Sequence, residues 1–223
     1  MCTLVGTKDL YIREEYRELY DRIKSQFTLP AKSLRQNRLI LTGTPGIGKS
    51  AFLVYFTIRL LVESDENDPP IIVFHEKESL TCYVYGGTSI LLRGNISDFR
   101  DLLSEPETWY LVDSSKSPVL DRAKTVFSAS PKTLKGRFDG VAKEVSKYYH
   151  MSPWTQNELE TCRSKVKFFN DVDYNFMERL YLRMGGVPRY VLQTPADILN
   201  NDKNAVEAAE KAACSRVDEA IET

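Results

Sequence analysis

The sequence predicts an α/β fold, a mostly parallel sheet with crossover helices, followed by a small helical lid. Three observations predict it. An apolar run, Leu39-Ile40-Leu41-Thr42, leads into Gly43-Thr44-Pro45-Gly46-Ile47-Gly48-Lys49-Ser50, and the apolar stretch Ala51 to Val62 then reads as a helix. Strand-like and helix-like segments alternate up to Met151, the pattern of parallel strands joined by helices. From Thr155 onward only helical spacing remains.

The first observation carries the most chemistry. Gly-x-x-x-x-Gly-Lys-Ser between a strand and a helix is a phosphate-binding loop in its required context. Its glycines let successive N–H groups turn inward around a polyphosphate, and the helix N-terminus adds partial positive charge. Gly43, Thr44, Pro45, Gly46, Ile47 and Gly48 are the expected cradle. Lys49 is expected on the β- and γ-phosphates, and the Ser50 hydroxyl on Mg²⁺.

The remaining elements follow in order. Tyr11 to Gln26 places Ile12, Tyr16, Leu19, Tyr20 and Ile23 on one face, predicting an amphipathic helix before the core. After the loop helix, Ser64 to Pro70 is polar and ends in prolines, a surface loop. Ile71 to His75 and Leu80 to Tyr85 read as a hairpin or two neighbouring strands around the charged Glu76 to Ser79. Asn95 to Leu103 reads as a short helix, Thr108 to Asp113 and Lys124 to Ser128 as strands, Lys135 to Lys147 as a helix and Tyr148 to Met151 as a last strand. Thr155-Gln156-Asn157-Glu158 fits a capping box, with Leu159, Cys162, Val166 and Phe169 continuing along the helix face. A second helix runs from about Asp173 to Met184 and is expected to end at Gly185-Gly186 in a left-handed stop. Asn204 to Ile221 is the terminal helix.

A phosphate loop needs an acidic group at the end of a buried strand to hold the metal. Trp109-Tyr110-Leu111-Val112-Asp113 supplies it. Asp113 is followed by Ser114, where many ring-forming ATPases carry a water-orienting glutamate. Glu76, at the end of a neighbouring strand, is the candidate substitute. Ser128 or Ser130 could sense the γ-phosphate from the strand ending Val126 to Ser130, with Lys132 adding charge; serines before Pro131 are also ordinary turn residues. In Gly185-Gly186-Val187-Pro188-Arg189-Tyr190, Pro188 is placed near the base and Arg189 toward phosphate, the alternative being a plain helical corner. His75-Glu76-Lys77-Glu78 lacks the second histidine of a zinc-protease motif, and His75 and His150 support no hydrolase triad.

Of 223 residues, 42% are hydrophobic, enough for a core, and the net charge of −1 gives no electrostatic case for nucleic acid or membrane binding. No apolar run approaches the ~18 residues of a membrane span. The first residues are too soon polar for a signal peptide, which points to an intracellular protein or an address outside this chain. Cys2, Cys82, Cys162 and Cys214 are scattered and read as reduced thiols.

Together, Tyr11-Ile12-Arg13-Glu14, the phosphate loop, Trp109 to Ser114, Ser128-Ala129-Ser130-Pro131, Tyr149 to Trp154 leading into Glu158-Leu159, and Gly186 to Leu192 resemble, in order, the NTPase module of the Crinkler effectors of oomycetes and some fungi. The same stretches resemble the related retrotransposon hot spot (RHS) proteins of trypanosomes. The resemblance implies a P-loop NTPase core similar to the AAA+ and STAND groups, with a helical lid carrying the Gly-x-Pro turn. It implies a secreted effector acting in host nuclei, with a host nuclear protein or DNA as partner.

The chain is accordingly expected to comprise an N-terminal helix and linker (1–34), a P-loop NTPase core (35–153) and a helical lid with the C-terminal helix (154–223). Its expected ligands are ATP or GTP with Mg²⁺, hydrolysed slowly through Lys49 and Asp113 with Glu76 in support. Ser130 and Arg189 are the expected γ-phosphate sensors. A nucleotide-dependent switch or scaffold without turnover, and a small-molecule or nucleoside kinase, are the alternatives.

Overall fold

The computed structural model describes residues 9–28, 37–65, 67–76, 81–86, 89–114, 118–136 and 147–221. They fall into two compact units. The larger comprises Glu14–Gly43 and Lys49–Met151; the smaller comprises Met1–Arg13, Thr44–Gly48 and Ser152–Thr223.

The larger unit is built on a seven-stranded sheet. Its strands are β1 (Arg38–Thr42), β2 (Ile72–His75), β3 (Thr81–Gly86), β4 (Ser89–Asn95), β5 (Trp109–Asp113), β6 (Lys124–Ala129) and β7 (Lys147–His150). They lie in the order β4-β3-β2-β5-β6-β1-β7. The run from β2 to β7 is parallel, while β3 and β4 add an antiparallel edge. Strands β1, β2 and β5 are buried along their whole length, which explains why their central residues are apolar without alternation, with polar Arg38, Thr42, His75 and Asp113 only at their ends.

Each face of the sheet has its own cover. Ile40, Val73, Tyr110, Val112 and Phe127 form one cluster with Cys82, Val84, Ile96, Phe99 and Leu103. The last three come from a 3₁₀ turn (Ile96–Phe99) and α3 (Arg100–Leu103). Trp109 points the other way, against Phe27 and against Phe56 of α2 (Lys49–Val62). Helix α1 (Glu14–Gln26) buries Tyr16, Leu19, Tyr20 and Ile23 as its spacing predicts, but Ile12 lies before the helix and is 40% exposed.

Strand β4 was not anticipated, because Ser89-Ile90-Leu91-Leu92-Arg93-Gly94-Asn95 carries neither alternation nor a clear stop. Asn95 caps the turn after it, bonding reciprocally with Asp98. The helix expected over Lys135 to Lys147 falls mostly outside the described residues; the preceding α4 spans Pro131–Gly136.

The smaller unit is helical. Thr155 and Glu158 form the expected capping box of α5 (Gln156–Lys165). The helix does not run on through Val166 and Phe169: Val166 turns to an extended backbone, and a 3₁₀ turn (Lys167–Phe169) carries the apolar spacing onward. Asp173 caps α6 (Tyr174–Met184), a π-helical turn spans Arg189–Gln193, and α7 (Thr194–Leu199) and α8 (Val206–Ile221) follow. Gly185 ends α6 at φ 66 and ψ −165, a positive-φ stop outside the left-handed helical well and open to glycine almost alone.

Candidate functional site

The chain passes from the end of β1 at Thr42 to the start of α2 at Lys49 through Gly43, Thr44, Pro45, Gly46, Ile47 and Gly48. Gly46 and Gly48 have φ of 84 and 107, which side chains on L residues resist. Gly46 has a second reason to be glycine within the smaller unit: a Cβ there would lie 2.7 Å from the Arg189 Cβ. The backbone N–H of Arg189 donates to the Gly46 carbonyl at 3.4 Å.

In the larger unit, Lys49 is buried and its ammonium donates to the Gly43 carbonyl at 2.7 Å. The next residue makes the central contact. Ser50 Oγ donates to Asp113 Oδ1 at 3.0 Å, bringing the loop hydroxyl to the acidic end of β5 across 63 residues of sequence. This oxygen pair fits Mg²⁺, which takes one or two protein oxygens and completes its shell with phosphate oxygens and waters. Among the described residues, no group of three or more His, Cys, Asp or Glu forms a rival metal site.

Strand β6 lies between β1 and β5. Ser128 pairs in register with Leu41 on one side and Asp113 on the other. Its hydroxyl is buried and has no hydrogen-bond partner, while its carbonyl accepts from both the N–H and the Oγ of Ser114. Ser114 has φ 49, an uncommon conformation for a serine that follows a candidate metal ligand. Ser130 is differently engaged: its Oγ accepts from the Thr133 N–H at 3.2 Å and lies 2.7 Å from the Thr133 hydroxyl, capping α4. Glu76 directly follows His75, which is paired with Val112, so its position is level with Asp113. His75 is a satisfied core histidine, its Nδ1 2.7 Å from the Tyr110 hydroxyl. Burial pushes the Cys82 and Cys162 thiols up to about 12, which leaves both unreactive.

In the smaller unit Pro188 opens the π-helical turn that begins with Arg189. Sequence reasoning gives no role to Arg13, and reads Trp154 only as a core or lid anchor and Gly186 only as part of a helix stop, although all three fall within the stretches that carry the family resemblance. Trp154 Nε1 donates to the Ile47 carbonyl at 2.9 Å, and Arg13 is buried against Glu158. The motif positions are visible in the sequence, but nothing local in it signals the contact of Trp154 with the phosphate loop.

No family model matches the chain. The chain is 30% identical over 199 residues to Crinkler effector protein 15 and 31% identical to Crinkler effector protein 16, both of Phytophthora infestans. The match takes in 86% of this chain and 30% of each relative, so the chain spans less than a third of the length of the curated relatives it matches. Among solved structures, the Aeropyrum pernix ORC2 protein in its ADPNP–ADP complexes matches with a TM-score of 0.53 at 11% identity, over 92% of this chain and 70% of that one. The chain thus has the α/β fold of the ORC2 structure and resembles the Crinkler effectors in sequence.

Proposed function

We propose that the chain binds a nucleoside triphosphate, ATP or GTP, and hydrolyses it slowly with Mg²⁺ as the NTPase module of a Crinkler-type effector. The Ser50–Asp113 contact carries the reading, because a chance glycine-rich turn has no reason to meet an acidic strand end. Gly43 to Gly48 would cradle the phosphates and Lys49 would neutralise the β- and γ-oxygens. Ser50 and Asp113 would hold Mg²⁺, which supplies charge neutralisation on the transferred phosphoryl group. A serine at the end of β6, Ser128 or Ser130, and Arg189 would read the γ-phosphate, with Pro188 near the base and Glu76 orienting water. On this reading residues 1–34 are an N-terminal helix and linker, 35–153 the core and 154–223 the lid. The resemblance further supports a secreted protein with a nuclear protein or DNA of the host as partner, and kinship with the trypanosome RHS proteins.

A switch that binds without turnover is favoured by Ser114, which stands where a water-orienting carboxylate is often found and commits both donors to the Ser128 carbonyl. Steady-state phosphate release decides between them. Acceptor-independent release abolished by Lys49→Ala is the expected result. Binding without release would make the chain a switch, and triphosphate affinity unchanged by Lys49→Ala would remove the nucleotide reading.

A further inference from the structure

A loop that collects an anion turns amide N–H groups inward, and each trans peptide then sends a carbonyl the opposite way. Within the smaller unit, two such carbonyls meet donors of the helical segment. The Arg189 N–H reaches the Gly46 oxygen at 3.4 Å, a long bond, whereas Trp154 Nε1 reaches the Ile47 oxygen at 2.9 Å. Holding the Ile47 carbonyl fixes the plane of the Ile47–Gly48 peptide, and with it the direction of the Gly48 N–H.

Trp154 is itself held on several sides. Its backbone N–H donates to the Gly186 carbonyl at 2.8 Å. A Cβ on Gly186 would lie 1.9 Å from the Trp154 oxygen, so only glycine permits that approach. The Arg13 guanidinium lies 4.7 Å from the indole centroid, and the Tyr11 ring 5.6 Å from it. Arg13 is 3% exposed and forks onto Glu158, Nε to Oε1 at 2.9 Å and Nη2 to Oε2 at 3.2 Å, while Nη1 donates to the Ser152 carbonyl at 3.2 Å. Glu158 also closes the cap of α5. A flat, five-donor cation suits this site, where an ammonium would lose the fork.

We infer that Trp154 is a positioning residue for the phosphate-binding loop, its indole N–H setting the Ile47–Gly48 peptide, and that Arg13 positions Trp154. The inference rests on the phosphate-loop reading but does not share its fate, because the order of the loop is measurable without nucleotide.

The test uses Trp154→Phe, which keeps an aromatic ring and deletes the donor, and Arg13→Lys, which keeps the charge and breaks the fork. Loss of one neutral hydrogen bond, about tenfold in an equilibrium, sets the expected scale. In the whole chain without nucleotide, Trp154→Phe should speed amide exchange in the Thr44–Gly48 segment about tenfold relative to the rest of the smaller unit. With triphosphate, KM should rise by about the same factor while kcat stays within about twofold, since the lost bond orders the loop in ground and transition states alike. Arg13→Lys should move both readouts in the same direction by a smaller factor.

A spectroscopic readout comes from the chain having two tryptophans. In a Trp109→Phe background the emission of Trp154 should shift on adding triphosphate, and Lys49→Ala should abolish the shift. Wild-type loop exchange in Trp154→Phe overturns the inference. Faster exchange spread evenly over 152–223 with none in excess at the loop also overturns it, making Trp154 a packing anchor. Fast loop exchange in a protein whose wild type shows no Lys49-dependent nucleotide response upholds the positioning role and sinks the nucleotide reading. If Trp154→Phe fails to fold, Arg13→Lys carries the same exchange test.

Discussion

Two serines on one strand end illustrate what a side chain's partners say about its work. Ser130 spends its hydroxyl on the first turn of α4, whereas the Ser128 hydroxyl is buried, unpartnered and in register with Asp113. A buried hydroxyl without a partner costs about 1–3 kcal/mol, so Ser128→Ala should leave stability unchanged or raise it. If that hydroxyl awaits the γ-phosphate, the same variant slows phosphate release by about tenfold or more, the scale of one lost transition-state hydrogen bond. Ser130→Ala should instead cost about 1 kcal/mol of stability through the lost cap and spare turnover. Denaturant melts and phosphate release on the two variants check this; slowed release in Ser130→Ala alone would return the sensing role to Ser130. Asp113→Asn keeps the shape but removes the charge that favours the cation. Turnover should fall by orders of magnitude while Mg²⁺-free nucleotide binding persists, and intact turnover there with loss in Glu76→Gln would move the acidic role to β2. At this scale the sequence was legible wherever chemistry is local. Loop spacing places Lys49 and Ser50 at the start of α2, and the Thr155–Glu158 cap follows from an i, i+3 pair. The Trp154–Ile47 bond spans 107 residues and has no local signature.

Elements were legible where burial imposes a period. The apolar runs at β1, β2, β5 and β6 and the stripe of α1 match the structure closely because each faces a core. Strand β4 escaped notice because it is an edge, with Leu92 55% exposed, and pairing rather than burial makes it a strand. The π-helical turn at Arg189–Gln193 escaped for the same kind of reason, since no spacing distinguishes it from an ordinary helix start. The joint between α1 and α2 yields two predictions. Phe56 is fully buried, with ring centroids 4.9 Å from Tyr20 and 5.3 Å from Trp109. Phe56→Ala should cost about 3–5 kcal/mol by urea unfolding. At the end of the same helix, burial works to raise the Glu63 carboxyl, but bonds from Lys24, Tyr20 and Arg59 outweigh it and hold the group at about 2. A carboxylate depressed from an ordinary 4.5 contributes stability that is complete above 4.5 and lost as pH falls toward 2. The melting midpoint should therefore drop through that window in wild type, and the drop should be smaller in Glu63→Gln.

At the scale of the whole molecule, topology decides where chemistry can assemble. Inserting β6 between β1 and β5 brings Ser128 beside Asp113, at the carboxyl ends of parallel strands where α/β sheets bind ligands. Chain order alone could not reveal that insertion, because β6 follows β5 in sequence yet returns to pair with β1. The helical unit raises the remaining question of how nucleotide state would be read. Arg189 follows the Gly-x-Pro turn, and its backbone N–H meets the Gly46 carbonyl. A charge-assisted contact from Arg189 to the γ-phosphate would be worth about 1.5–3 kcal/mol in the triphosphate state and much less in the diphosphate state. A ligand shifts an equilibrium only by its differential affinity, so that difference is the whole driving force available for a switch. Arg189→Ala should therefore weaken triphosphate binding about tenfold or more, weaken diphosphate binding little, and erase any triphosphate-induced protection of 154–223 from proteolysis. Equal losses for both nucleotides would show that Arg189 does not read the γ-phosphate. No loss for either would leave the Gly186–Pro188 turn a structural corner that keeps Trp154 and Gly46 in place.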